Sequence, residues 1–385
     1  MKTDALTAAK ELSPIILRFR QETETHRRLA EPIVERLRDT GLCRSVIVKE
    51  LQGLELPTPD MLDLYETLAY AEASVAWIVW NNALPCLFGR YLDAPTRGEV
   101  FRDPKWLYAS STRPTGRAAV NGDGYRVDGR WSLVSGCELA EWILLMCVVE
   151  ENGEPRMVAP KIPEMRFAFV RRGDYDIVDT WHVGGLRGTG SHDVVVKDLR
   201  VSHARTLSPA DPSTLSTPHG RIPIVCTMAA GYGAQALGLG QRAVDTLIEL
   251  TKTKISPDSG LELRERPQVL EAITRHAASL DAARAYLHAR VDELWHTATS
   301  SAPRALDEIS AVWAGALHAS DTGRAAVEAM YAAGGTTSLY TDCPLERAHR
   351  DMHAMQRHIV VQPFWLEDAG RVRLGLAPTH PLYAI

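Results

Sequence analysis

Three stretches of this chain hold residue types and spacings that can do chemistry. His349, His353 and His358 fall in one C-terminal stretch that reads as a single helix, with Glu346 and Asp351 among them. His349 and His353 stand four apart and could reach a metal from one helix face. The flanking Arg347, Arg350 and Arg357 would repel a cation, however, and no HExxH pattern supplies a base, so a solvated or ion-paired face is the better account and no metal is expected. His358 differs, because it sits beside Ile359 and Val360, where burial can tune an imidazole for proton handling. The second stretch is Trp181-His-Val-Gly-Gly-Leu-Arg187-Gly-Thr189-Gly-Ser191-His-Asp193. Its backbone N–H groups, two hydroxyls and planar cation can embrace an anionic or polyoxygenated ligand. The same residues can equally form a tight turn whose arginine makes a structural ion pair. The third is Gly129-Arg-Trp131-Ser-Leu-Val-Ser135-Gly136-Cys137, a strand whose end can present the Ser135 hydroxyl and an N–H to a ligand, or be simply a strand terminus.

The elements that must carry these residues follow from composition and periodicity. A length of 385 residues, 45% of them hydrophobic and 24% charged, implies two or three domains with buried cores. The balance of 43 Lys and Arg against 48 Asp and Glu leaves no large basic surface, so nucleic acid is not an expected partner. The longest apolar run, Trp142 to Val149, falls far short of the roughly 20 residues a membrane helix needs. MKTDALTAAKEL has no apolar signal-peptide core, which points to a cytoplasmic protein without a membrane partner. The six cysteines are scattered without CxxC or zinc spacing and read as buried thiols.

Residues 1–105 read as an N-terminal helical domain. Leu12, Ile15, Ile16 and Phe19 recur at helical spacing, as do Leu29, Ile33, Val34 and Leu37, with Gly41 as a stop signal, and Met61 to Trp80 continues as one further helix. Residues 106–215 switch to short β-branched and aromatic runs. Asn121-Gly122-Asp123-Gly124 and then Asp128-Gly129 each read as a hairpin turn, which predicts a central β-barrel-like domain. Residues 216–385 return to helices over 225–252, 267–297, 302–333 and from about 344, a four-helix bundle. Small residues crowd the first of these, and Gly238-Leu-Gly240-Gln-Arg-Ala243 matches a dinucleotide fingerprint literally, but it lacks the preceding strand that motif needs.

Taken in this order the segments resemble the acyl-CoA dehydrogenase fold over essentially the whole chain. Trp181 to Val196 looks like its β-domain signature, and Gly334-Gly335 with Glu346-Arg347 and Arg350-Asp351 looks like its C-terminal landmark. In the dehydrogenases a catalytic glutamate follows the Arg-Asp pair, and counting places that position here on Ile359, which cannot remove a proton. Gly129 through Trp142 and Arg347 through His358 instead resemble the monooxygenase branch, the oxygenase components of two-component flavin hydroxylases. The resemblance implies reduced FMN or FAD and O2, a hydroperoxide at flavin C4a that oxygenates a small aromatic or heteroatom-containing substrate, and a separate NAD(P)H-dependent reductase that delivers the flavin.

By resemblance Ser135 contacts flavin N5 and His358 faces the C4a side, the catalytic pair. Ser135, Gly136, Arg187, Thr189 and Ser191 are the cofactor-binding candidates, while Asn82 and Trp131 are those for substrate. Phenol-hydroxylating members carry an early-helix histidine where this chain has Asn81-Asn82. The stretch Lys252 to Pro257 also lacks the pattern that holds FAD adenine, which leaves FMN and FAD both open. The fold implies a homotetramer. The competing readings are a flavin-linked dehydrogenase or oxidase with a relocated base, and a non-catalytic member of the fold.

Overall fold

A computed structural model describes residues 2–208, 211–255, 260, 262–300, 305–380 and 382–383. Ser256, Pro257 and the expected bundle-helix start at Ala302 lie outside the described residues. The N-terminal layer is α1 (Lys2–His26), α2 (Glu31–Thr40), α3 (Thr58–Ala71), α4 (Ala73–Phe88) and α5 (Ala94–Val100). The expected stop at Gly41 is realised as a left-handed C-cap at φ +66°. The single helix expected from Met61 to Trp80 is instead two. Glu72 takes an extended conformation (φ −163°, ψ 122°) between α3 and α4, and its carboxylate is turned inward and buried. α4 is buried nearly all round, as befits a helix sandwiched between the other layers.

The β-region comprises β1 (Leu107–Asn121), β2 (Gly124–Val134), β3 (Ala140–Glu151), β4 (Glu154–Pro155), β5 (Met157–Ala159), β6 (Ile162–Pro163), β7 (Met165–Arg171), β8 (Asp176–Val178), β9 (His192–Ser202) and β10 (Thr206–Leu207). Its main sheet runs β10-β7-β3-β1-β2-β9-β8, with β4 on the end of β3. The expected turn at Gly122-Asp123 joins β1 to β2. The second, at Asp128-Gly129, does not form: β2 runs straight through, with a register shift against β9 between Val127 and Gly129. The physical reason is Trp131, whose ring lies so close over Gly116 and Gly129 that a Cβ on Gly116 would collide with it. β3 is buried on both faces. Trp142 and Leu144 join the core shared with the helices, whereas Ile143, Leu145 and Cys147 join Trp131, Val194 and Val196 in a core private to the β-region.

The C-terminal layer is α6 (Ile224–Thr251), α7 (Pro267–Ser300), α8 (Leu306–Ala333), α9 (Pro344–Met355) and α10 (Phe364–Arg373). The glycines of α6 serve close packing and no nucleotide: a Cβ on Gly238 would strike the Glu66 carbonyl of α3, and one on Gly240 would press on Gly323 of α8. α9 stops at Met355, so His358 is not on the helix of His349 and His353 as the sequence suggested; it caps a separate short turn, Ile359–Val361. All six cysteines are free, five of them buried and Cys343 half-buried.

Candidate active site

The glycine-rich loop between β8 and β9 is clamped from three sides, and every clamp is local chemistry. A Cβ on Gly188 would collide with Thr23 of α1 and press on Ser74 of α4, and one on Gly185 would collide with the Arg350 carbonyl of α9. Between them Leu186 adopts φ +51°, and its N–H donates to Asp351 Oδ1 at 2.6 Å. The Arg350 guanidinium donates to the Gly184 carbonyl and pairs with Glu24 (3.0 Å) and Glu346 (2.6 Å). Arg187, a cofactor-binding candidate, pairs with Glu24 at 3.4 Å and donates to that residue's carbonyl, which is the structural-turn alternative.

Behind the loop, Asp351, Glu72 and Glu24 lie close enough to feel one another's charge, and Arg347 lies 3.4 Å from Glu72 and donates to Gln21 at 3.0 Å. Burial and the Glu72 charge push the Asp351 carboxyl up to about 8, and burial raises Glu72 as well. The folded protein therefore binds a proton at Asp351 that the unfolded chain releases near pH 4, so this group's contribution to stability falls as pH rises from there toward 8. Asp351→Asn keeps an acceptor for Leu186 and removes the ionisation. Its urea midpoint is expected to be flatter between about pH 5 and about pH 9 than the wild-type curve, and an unchanged slope would refute the assignment. A cavity of 160 Å³ is lined by Arg20, Tyr70, Glu72, Arg242, Arg347 and Asp351; neither Ser135 nor His358 lines it.

On its other side the loop meets the end of β2. Ser135 Oγ lies 2.7 Å from Ser191 Oγ, which lies 2.7 Å from Thr189 Oγ1, and Thr189 donates to the Leu186 carbonyl at 2.8 Å. Trp77 of α4 donates its indole N–H to Ser135 Oγ at 3.1 Å. Gly136 follows at φ +76°, and its N–H donates to the Thr189 carbonyl at 2.9 Å. Ser135, Gly136, Thr189 and Ser191 are thus brought together, and Trp77 extends the group toward His358.

The His358 ring stands edge-on to Trp77 (5.3 Å between centroids) and Trp80 (5.2 Å) and parallel to Tyr232 (6.3 Å). Its Nδ1 accepts from the Val360 N–H at 3.2 Å, so the neutral ring carries its proton on Nε2. Among the described residues nothing accepts from that Nε2–H. Part of His358 still reaches the surface, yet the ring is set deep enough among these aromatics that burial, helped by the charge of Arg113, pushes its pKa down to about 4. At neutral pH it is an uncharged hydrogen-bond donor.

Besides Arg187, two candidates are not brought to this group. Asn82 spends its Nδ2 on the Ile78 carbonyl (2.9 Å) and its Oδ1 on the Tyr108 N–H (2.6 Å), pinning α4 to β1. Trp131 is fully buried in the private β-core and donates to the Met146 carbonyl at 2.7 Å. Tyr232 and the donor role of Trp77 were not legible from spacing; the available signals were the Trp77–Trp80 pair at i, i+3 and one tyrosine amid the small residues of α6. His349 and His353 share a hydrogen bond between Nε2 atoms at 3.1 Å, and no group of three or more metal-ligating side chains occurs among the described residues. Ile359, the counterpart of the dehydrogenase base, is an exposed aliphatic residue.

Helices, sheet and bundle in this order, with the loop seated on α9, are the acyl-CoA dehydrogenase fold, and residues 230–363 match the acyl-CoA dehydrogenase C-terminal domain family. The crystal structure of the HsaA monooxygenase from M. tuberculosis superposes with a TM-score of 0.89 at 26% identity, covering 98% of this chain and 99% of that one. XiaF from Streptomyces sp., in complex with FADH2 and glycerol, superposes with a TM-score of 0.91 at 25% identity, covering 100% and 98%. The indole-3-acetate monooxygenase of Acinetobacter baumannii is 27% identical over 351 residues, 91% of this chain and 88% of that one. In fold, and over nearly its whole length in sequence, the chain is similar to flavin-dependent monooxygenases, several of them named as oxygenase subunits or components, and it reads as an enzyme of that kind.

The site fits a flavin on its own chemistry. Ser135 Oγ has one hydrogen-bonding position left beyond Trp77 and Ser191, and His358 has an Nε2–H that no described protein group claims; a planar ring edged with N–H and C=O groups can use both. No described helix is long and apolar enough to cross a membrane.

Proposed function

We propose that Ser135 and His358 are the catalytic pair of this monooxygenase, and that Trp77, Trp80 and Tyr232 form the wall against which a small aromatic or heteroatom-containing substrate is oxygenated. The observation that carries this reading is Trp77, which donates to Ser135 while its ring abuts His358, so one residue sets the spacing of the pair. Reduced flavin, when bound, supplies the electrons that divide O2 between product and water. Ser135 and Gly136 hold the ring edge, with Thr189 and Ser191 behind them. His358, neutral at pH 7, donates Nε2–H to an oxygen beside it and presents no cation to the aromatic wall. The three aromatic side chains keep water away, which strengthens that hydrogen bond. Arg187 supports the loop through Glu24.

FMN and FAD both suit this reading, delivered by an NAD(P)H-dependent reductase in the cytoplasm. We further propose a homotetramer, supported by the exposed Ile248, Leu270, Tyr286 and Leu306 on α6, α7 and α8. The reading is tested by mixing the protein with anaerobically reduced FMN or FAD and a panel of small aromatics that includes indoles, then admitting isotopically labelled O2. Delayed reappearance of oxidised-flavin absorbance and label in one product are expected. Reoxidation at the free-flavin rate with both flavins, and no labelled product, would refute it.

A further inference from the structure

Proton arithmetic on the buried hydroxyls fixes their direction. A serine or threonine hydroxyl has one proton to give and two lone pairs to receive with. The Leu186 carbonyl has no proton, so the 2.8 Å contact from Thr189 Oγ1 is held by the Thr189 proton. Ser191 must then donate to Thr189 across 2.7 Å, and Ser135 must donate to Ser191 across 2.7 Å. Trp77 can only donate, and it fills one lone pair of Ser135. Reversing the series would leave the Thr189 and Leu186 oxygens 2.8 Å apart with no proton between them. One direction survives, from Trp77 through Ser135, Ser191 and Thr189 to the Leu186 carbonyl. Leu186 cannot swing away, because its own N–H is bound to Asp351 at 2.6 Å.

We infer that this hydroxyl series makes Ser135 an obligate hydrogen-bond acceptor toward its ligand, so that Ser191 and Thr189 act as positioning residues that select the reduced flavin over the oxidised one. The inference rests on the reading that Ser135 meets flavin N5. Reduced flavin carries N–H at N5 and satisfies the remaining lone pair of Ser135. Oxidised flavin presents a bare lone pair there, which faces another lone pair. A buried acceptor set against an acceptor loses the hydrogen bond and keeps the desolvation cost. Discrimination therefore arises two and three hydroxyls away from the cofactor, at residues that need not touch it.

The test is anaerobic titration of the full-length protein with reduced and with oxidised FMN and FAD, comparing the ratio of dissociation constants. Ser191→Ala frees the Ser135 proton to turn outward, and Thr189→Val frees the Ser191 proton to turn back to Ser135. In both, oxidised flavin is expected to bind more tightly while reduced flavin changes little, so the ratio falls about tenfold, the worth of one hydrogen bond. A ratio unchanged in both variants, or equal loss of both redox forms, would reduce the series to scaffolding and overturn the inference. If wild-type protein binds neither form of either flavin, the proposed function itself fails and takes this inference with it. If wild type favours the reduced form and the variants keep that preference, only the inference fails.

Discussion

His358→Ala is expected to cut the product formed per flavin oxidised about a hundredfold, with hydrogen peroxide released in its place, the scale seen when one preorganised donor is lost from a site. Val360 occupies Nδ1, so the Nε2–H is the one donor the ring offers, and the aromatic wall holds it in place. Because burial pushes the ring's pKa down to about 4, this role is expected to be independent of pH from about 6 to about 9 and to be disturbed in more acid solution, where a proton on Nδ1 expels the Val360 N–H that orients the ring. Stability follows the same sign. The unfolded chain takes up a proton at an ordinary imidazole where the folded one does not, so stability drops as pH falls from about 6.5 toward 4, by about 1.4 kcal/mol per pH unit for each such histidine. His219, buried with one ring nitrogen 2.8 Å from the Leu56 carbonyl and also pushed down to about 4, adds to that slope. Product and peroxide quantified together, with circular dichroism to confirm the fold, check the substitution; unchanged coupling would remove His358 from the reaction.

Gly185→Val is expected to destabilise the protein by about 3 kcal/mol and to abolish measurable flavin binding, although Gly185 is not itself a flavin contact in the proposed site. The obstacle is the Arg350 carbonyl, which α9 holds rigidly, so the loop must retreat and give up the Leu186–Asp351 hydrogen bond. Retreat also displaces Thr189 and Ser191 from Ser135. Gly184→Ala is the control, since a Cβ there meets nothing within 4 Å and is expected to be silent. Urea midpoints and flavin titrations of the two variants decide the matter. Similar behaviour at both positions would show that the loop is not seated on α9 as described.

The layer order was readable because hydrophobic period switches from helical to alternating near residue 106 and back near 224. Ser135, Thr189 and Ser191 were readable as donors in loops, but not their mutual contact, which joins residues 56 apart in sequence. Breaks without glycine or proline were invisible: Glu72 splits α3 from α4, and α9 ends before Gln356 and Arg357 with no breaker, which moved His358 off its expected helix. Asp128-Gly129 misled for the opposite reason, since a glycine that makes room under Trp131 is spelled like one that makes a turn. Asn82 looked available for substrate because spacing does not reveal that both ends of an amide are already consumed by backbone.

The cluster linking α1 to α9 joins Glu24 to Arg350 and Gln21 to Arg347, across 326 residues in each case. The β-region, by contrast, closes a core of its own from Ala109 to Val201. During synthesis the β-region can therefore finish while the helices made before it stay incomplete. The faces of α3 and α4 that pack on α6 stay uncovered until that helix emerges, so the half-made chain exposes apolar surface and its folding ends with a late, long-range closure.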